Sequence, residues 1–170
     1  MRTIQFNVYQ FDELKDFAKE QAIKSLKQTA FECYAEGEWE DANRTIERVE
    51  EMTHVKCDIQ QSSQGFYYRW ATTDLSPLDD EDERKRFEMF KKDIMVQESQ
   101  SWADDLMEKV FDNAVFNNKH SYEGNIARQL VRFCDEVYLN TMDFFDDETT
   151  IEYIYDNDIE FNEDGKPYYA

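Results

Sequence analysis

The sequence predicts an α+β protein in which an antiparallel sheet is covered by about five helices. Three observations carry that expectation. Short runs alternate apolar and polar residues, as in Ile4, Phe6 and Val8 and again in Val55, Cys57 and Ile59. Longer runs repeat apolar residues at four-residue steps, as in Leu14, Ala18, Ala22 and Leu26. The runs succeed one another as strand, helices, hairpin, helices, hairpin, with no internal repeat and no low-complexity stretch.

Residues 2–9 open as a strand with Ile4, Phe6 and Val8 on one face. Asp12 is placed to cap the helix that follows, which runs to about Tyr34 and loosens at Gly37. A second helix, from about Trp39 to Met52, turns Ala42, Ile46 and Val49 inward. Val55, Cys57 and Ile59 then pair with Phe66, Tyr68 and Trp70 across the turn-rich "QQSSQG", giving a central hairpin. "SPLDD" starts the next helix, with Ser76 as cap, Pro77 in the first helical position and acids in the first turn. Its stripe, Phe87, Phe90, Ile94, Trp102, Leu106, Val110 and Ala114, is long and weakest near Gln97–Ser101, where a bend is expected. After "NNKHSYEGN", Tyr122, Ile126, Leu130, Phe133 and Val137 define a further helix.

The last stretch, "FFDDETTIEYIYDNDIEFNEDGKPYYA", holds nine carboxylates and one lysine. It is too rich in aromatic and β-branched residues for a disordered acidic tail. Asp146 or Asp147 is placed to cap a short helix carrying Ile151, Ile154 and Tyr155. Ile159 and Phe161 alternate with polar neighbours, and Gly165 in "NEDGK" supplies a turn, so residues 158–169 read as a β-hairpin. A calcium loop from Asp156, Asp158 and Glu160 fails on its sixth and twelfth positions, which are Phe161 and Pro167 instead of glycine and glutamate. With 170 residues, two prolines and four glycines, the composition offers a core and no linker, so one domain over 1–170 is expected.

Charge is the dominant compositional feature. The chain has 39 acidic and 19 basic residues, a net charge of −20. From Cys134 onward, twelve acids face Lys166 alone. This balance repels phosphate and anionic lipid, so neither direct nucleic-acid binding nor membrane binding is expected. No apolar run is long enough to span a membrane, and "MRTIQFNVYQF" lacks a signal-peptide core, so a soluble cytoplasmic protein is expected. Cys33, Cys57 and Cys134 are widely spaced and read as reduced, partly buried thiols.

Signals for catalysis are thin. His54 reads as structural and His120 as a solvated loop residue; neither stands in ligand spacing with a cysteine. There is no phosphate-binding glycine loop and no nucleophile elbow. Acid pairs such as Asp104–Asp105 are expected by chance in so acidic a chain. "LDDEDERKRF" reads as a solvated helix start, with Asp80–Arg84 and Glu81–Lys85 pairs at i,i+4. No enzymatic activity and no cofactor are therefore expected.

Two readings of the C-terminal acids stay open: a solvated surface, or a surface that meets a basic partner. In the second, Asp146, Asp147, Glu148, Glu152, Asp156, Asp158 and Glu160 are the electrostatic contacts, and Tyr153 and Tyr155 the anchors beside them.

Both ends of the chain resemble a loose group of small phage-encoded proteins. "VYQFDELKDFAKEQAIKSL" carries their start, a strand followed by Y-x-F-x-E-L and A-K-x-x-A, through Tyr9, Phe11, Glu13, Leu14, Ala18, Lys19 and Ala22. "IEYIYDNDIEFNEDGKPYY" is similar to their closing EFxEDGxxY hairpin, with a longer spacing after Glu152. The middle of the chain has no counterpart. The resemblance implies a phage source, an anti-defence role (anti-CRISPR or anti-restriction) and residence in the host cytoplasm, and it transfers no active-site residue. Combined with the charge, it leads to an inhibitor that occludes the basic groove of a host nucleic-acid-binding protein, as a DNA mimic or sterically. The alternatives are a carboxylate- and metal-dependent enzyme acting on nucleic acid, and an antitoxin-like module that neutralises a basic toxin. A homodimer through edge strands at Arg2–Tyr9 and the terminal hairpin is a further expectation.

Overall fold

The computed structural model describes residues 7–97 and 104–168. Its elements are α1 (Asp16–Thr53), β1 (Val55–Ser62), β2 (Gly65–Thr73), α2 (Asp80–Gln97), α3 (Asp104–Asp112), α4 (Tyr122–Asp143) and α5 (Asp147–Asp156). The class is α+β, with five α-helices and one two-stranded antiparallel sheet among the described residues. The chain divides into two compact units, residues 1–37 with 141–170, and residues 38–140. Helix α1 is continuous through the first boundary.

In the first unit, Phe11, Leu14, Ala18, Ala22 and Leu26 are buried together with Ile154 and Phe161. The four-residue repeat of the α1 stripe thus found the expected inward face. The start of the helix differs from expectation. Phe11–Glu13 form a 3-10 turn and Leu14 is extended (φ −71°, ψ 147°), so α1 begins at Asp16. Asp12 consequently caps nothing and accepts a hydrogen bond from Tyr155 Oη at 2.6 Å. Ahead of α5, Phe145 meets Phe31 edge-on and Phe144 stacks on Tyr34.

The outer strands of the expected sheet are not formed among the described residues. Residues 2–6 of the N-terminal strand lie outside them, and Val8 is exposed, not inward. The C-terminal hairpin is reduced to two isolated antiparallel bridges, Tyr9 with Phe161 and Phe161 with Pro167. Proline cannot donate to a ladder, which interrupts the pairing at Pro167, although Tyr168 N beyond it donates to Glu160 O at 2.7 Å. The turn itself is as read: Asn162 N donates to Lys166 O at 2.9 Å, and Gly165 has φ +78°.

In the second unit, the core gathers Val49, Val55, Phe87, Ile94, Phe111, Tyr122, Leu130 and Phe133, with Cys57, Ile59 and Phe90 packed against it. The hairpin forms where expected, but with a tighter connection. "QQS" continues β1, and only Ser63 and Gln64 separate it from Gly65 (φ +114°). A bulge between Asp58 and Ile59 sets Asp58 opposite Trp70 and Ile59 opposite Tyr68. The unpaired residue, Arg69, shifts the alternation, so Trp70 is exposed while Phe66 and Tyr68 face inward.

Two helix boundaries also differ. Gly37 does not end a helix; α1 is unbroken over its 38 residues, because no proline breaks it and Ala42 and Val49 extend the buried stripe. The cap of α2 is Asp79, whose Oδ1 accepts from Asp82 N at 2.9 Å, three residues beyond the expected Ser76. Lys85 pairs with Glu81 as expected and with Asp82, both at 3.2 Å. The long stripe after it is divided into α2 and α3, and Trp102 lies outside the described residues. The five apolar positions expected on α4 are all buried.

Candidate functional site

Helix α5 exists because three local devices agree. Asp146, extended at φ −127°, caps it by accepting from Thr149 N at 2.7 Å. Asp147 and Glu148 place negative charge in the first turn, where the helix dipole favours it. Ile154 is buried and Ile151 half-buried, which docks the helix on the first half of α1. The Thr149 hydrogen bonds, helped by Lys27, hold the Asp146 carboxyl below the usual carboxylate range. This residue is therefore a structural cap as well as a surface charge.

The other acids divide into tethered and untethered groups. Asp147 receives a hydrogen bond and ion pair from Lys27 Nζ at 2.7 Å. Lys27 also sits 5.3 Å above the Phe145 ring. Glu148, Glu152 and Asp156 follow at four-residue steps, so they form one stripe, and all three are exposed. None is ion-paired with a described residue. Asp158, in a left-handed conformation (φ +47°), and Glu160 continue the exposed acids beyond the helix end.

The last turn of α5 has no basic residue, so Asp156 and Asp158 stand where the dipole opposes them. Like charges at i,i+4 oppose the helix by roughly 0.2–0.5 kcal/mol per pair. The fold has no need of this arrangement, since the docking of α5 rests on Ile154, Ile151 and the Asp146 cap.

Both tyrosines do work inside the unit. Tyr155 is half-exposed; its hydroxyl donates to Asp12 and its ring meets Phe11 edge-on at 5.9 Å. That bond to Asp12 raises the phenol above its ordinary value. Tyr153 is half-buried, with its hydroxyl 3.9 Å from Cys33 Sγ. Tyr34, which the sequence did not single out, lies near the acidic stripe; burial and then Asp156 and Glu152 push its phenol up.

Among the described residues, no three His, Cys, Asp or Glu side chains gather as metal ligands. Of the two histidines, His54 has the structural place expected and His120 does not have the solvated one. His54 turns the chain from α1 into β1 at φ +56° and lies 3.4 Å from Asp74. His120 is half-buried and its Nε2 accepts from Arg128, so it is not the solvated loop residue expected. Burial pushes the Cys57 and Cys134 thiols up to about 12, while Cys33 is exposed.

A concave feature lies in the other unit, along α4, where Arg128, Gln129 and Arg132 line a cavity of about 470 Å³. Sequence reading passed over it. The available signal was two arginines four residues apart in a stretch, residues 124–134, with no acid in a chain that has 39. No helix among the described residues is long and apolar enough to cross a membrane. No known protein family, curated protein or solved structure matches the chain.

Proposed function

We propose that the chain is a phage-encoded, non-enzymatic inhibitor that docks on the basic groove of a host nucleic-acid-binding protein, a CRISPR effector or a restriction enzyme. Its contacts are Glu148, Glu152 and Asp156 along α5, continued by Asp158 and Glu160. One observation carries this reading: these carboxylates are exposed, unpaired among the described residues, and partly set against the helix dipole. A surface arranged at a cost to its own helix is understandable when a cationic counterpart meets it. Tyr155 supplies half-exposed aromatic area beside the acids.

Magnitudes decide between full mimicry and local occlusion. Three carboxylates at four-residue steps span about 12 Å of helix axis. A DNA duplex carries about seven charges over that length. The stripe with Asp158 and Glu160 therefore supplies fewer charges than the duplex it displaces. The mechanism is occlusion of a groove by a folded body, with the carboxylates as electrostatic anchors.

The test is capture of the partner from a bacterial host lysate on the immobilised chain, followed by displacement with duplex DNA. The expected partner binds basic grooves, competes with DNA, and is lost when Glu148, Glu152 and Asp156 are reversed to lysine. Capture should also weaken between low and moderate salt. Capture that survives both charge reversal and high salt rules the mechanism out.

A further inference from the structure

The pocket along α4 carries a separate inference, independent of the acidic face. Its walls are the segment after α3 and the first half of α4, and its lining holds Arg128 and Arg132 but no carboxylate. That is a notable local excess of positive charge in a chain with 39 acids and 19 bases. Neither arginine is ion-paired with a described residue, although Asp135 and Glu136 follow within one turn.

Between the arginines lies Gln129, only 4% exposed. Its Oε1 accepts from Arg132 Nη1 at 3.4 Å, which fixes the orientation of the amide. Its Nε2 then has no acceptor among the described residues. A buried amide donor without a partner is uncommon, and here it borders a polar cavity.

The opposite wall is built in advance of any ligand. Asn125, 2% exposed, accepts from Asn117 N at 2.8 Å and donates to the carbonyls of Asn117, His120 and Ser121. These bonds fix the loop over the start of α4. His120 in turn steadies Arg128 through its ring nitrogen.

We propose that this pocket binds a sugar phosphate or mononucleotide, with Arg128, Arg132 and Gln129 Nε2 as donors to the phosphate. Two guanidinium groups and an amide offer more donors than the two oxygens of a carboxylate require, and they suit the three terminal oxygens of a phosphate monoester. The cavity, about 470 Å³, is larger than a phosphate alone needs and falls within the size range of small-molecule sites. Asn117 and Asn118 on its lining suit the hydroxyls of a sugar.

The experiment is calorimetric and NMR titration of the full chain with adenosine monophosphate, glucose 6-phosphate, adenosine, glucose and inorganic phosphate. At least one ester should bind one-to-one, at least about tenfold tighter than its unphosphorylated form. The amide signals of Asn117, Gln129 and Arg132 should move on binding. Arg132→Gln, at an exposed position, should weaken that binding by about tenfold or more, in a variant whose NMR spectrum shows the native fold. Three results overturn the proposal: no saturable binding of either ester at millimolar concentration, undiminished binding to Arg132→Gln, or inorganic phosphate binding as tightly as the esters.

Discussion

At the scale of single residues, Tyr122 shows how one atom serves two elements. Its ring is fully buried, and its hydroxyl donates to Thr53 O at 3.1 Å, a carbonyl at the C-terminal end of α1. Arg86 lies 5.3 Å over the ring. Burial pushes the phenol well above its usual range, so it stays protonated and donates throughout the neutral range. Tyr122→Phe keeps the packing but leaves the carbonyl of a buried residue unpaired. We expect a loss of about 1–2 kcal/mol, read as a lower urea midpoint at unchanged slope. Asp12 and Asp146 make the complementary point. Both looked like caps in the sequence, yet only Asp146 is one, because burial of Phe11 and Leu14 draws the chain into an extended step before α1 can begin.

At the scale of elements, two glycines of α1 and the terminal turn give opposite predictions. Gly37 lies inside α1, and a Cβ built there meets nothing within 4 Å. Gly37→Ala should stabilise the protein by about 0.5–1 kcal/mol, because glycine costs backbone entropy in a helix interior. Gly165 has φ +78°, and a Cβ there would lie 2.0 Å from the Ala18 carbonyl oxygen. Gly165→Ala should lose more than about 3 kcal/mol, since strain and overlap act together. Paired denaturant titrations of the two variants check both signs. The hairpin adds a lesson in register. Alternation placed Phe66, Tyr68 and Trp70 on one face, whereas the bulge at Asp58/Ile59 moves Trp70 to the other. A pattern of period two holds no mark of where an extra residue enters.

At the scale of the whole molecule, the net charge of −20 works against compactness through self-repulsion. Few of the acids are neutralised by described ion pairs, among them those of Lys27, Arg44 and Lys85. Added salt shortens the reach of the remaining repulsion to about 10 Å at 0.1 M. The melting temperature should therefore rise between low and moderate sodium chloride. A fall over that range would mean that attractive pairs, not repulsion, dominate the electrostatics.

The sequence by itself determined the α+β class, the buried stripes of α1 and α4, the central hairpin, a cap for α5 at Asp146 or Asp147 and the outward placement of its acids. These follow from periodicity and local hydrogen bonding, which adjacent residues settle among themselves. Only the tertiary structure decided that Asp12 turns to Tyr155 instead of capping α1, that the terminal strands shrink to bridges at Phe161, and that Arg128, Gln129 and Arg132 meet the segment after α3 at one cavity. Each of those depends on what packs against a segment from far along the chain, and such contacts leave no periodic trace in the segment itself.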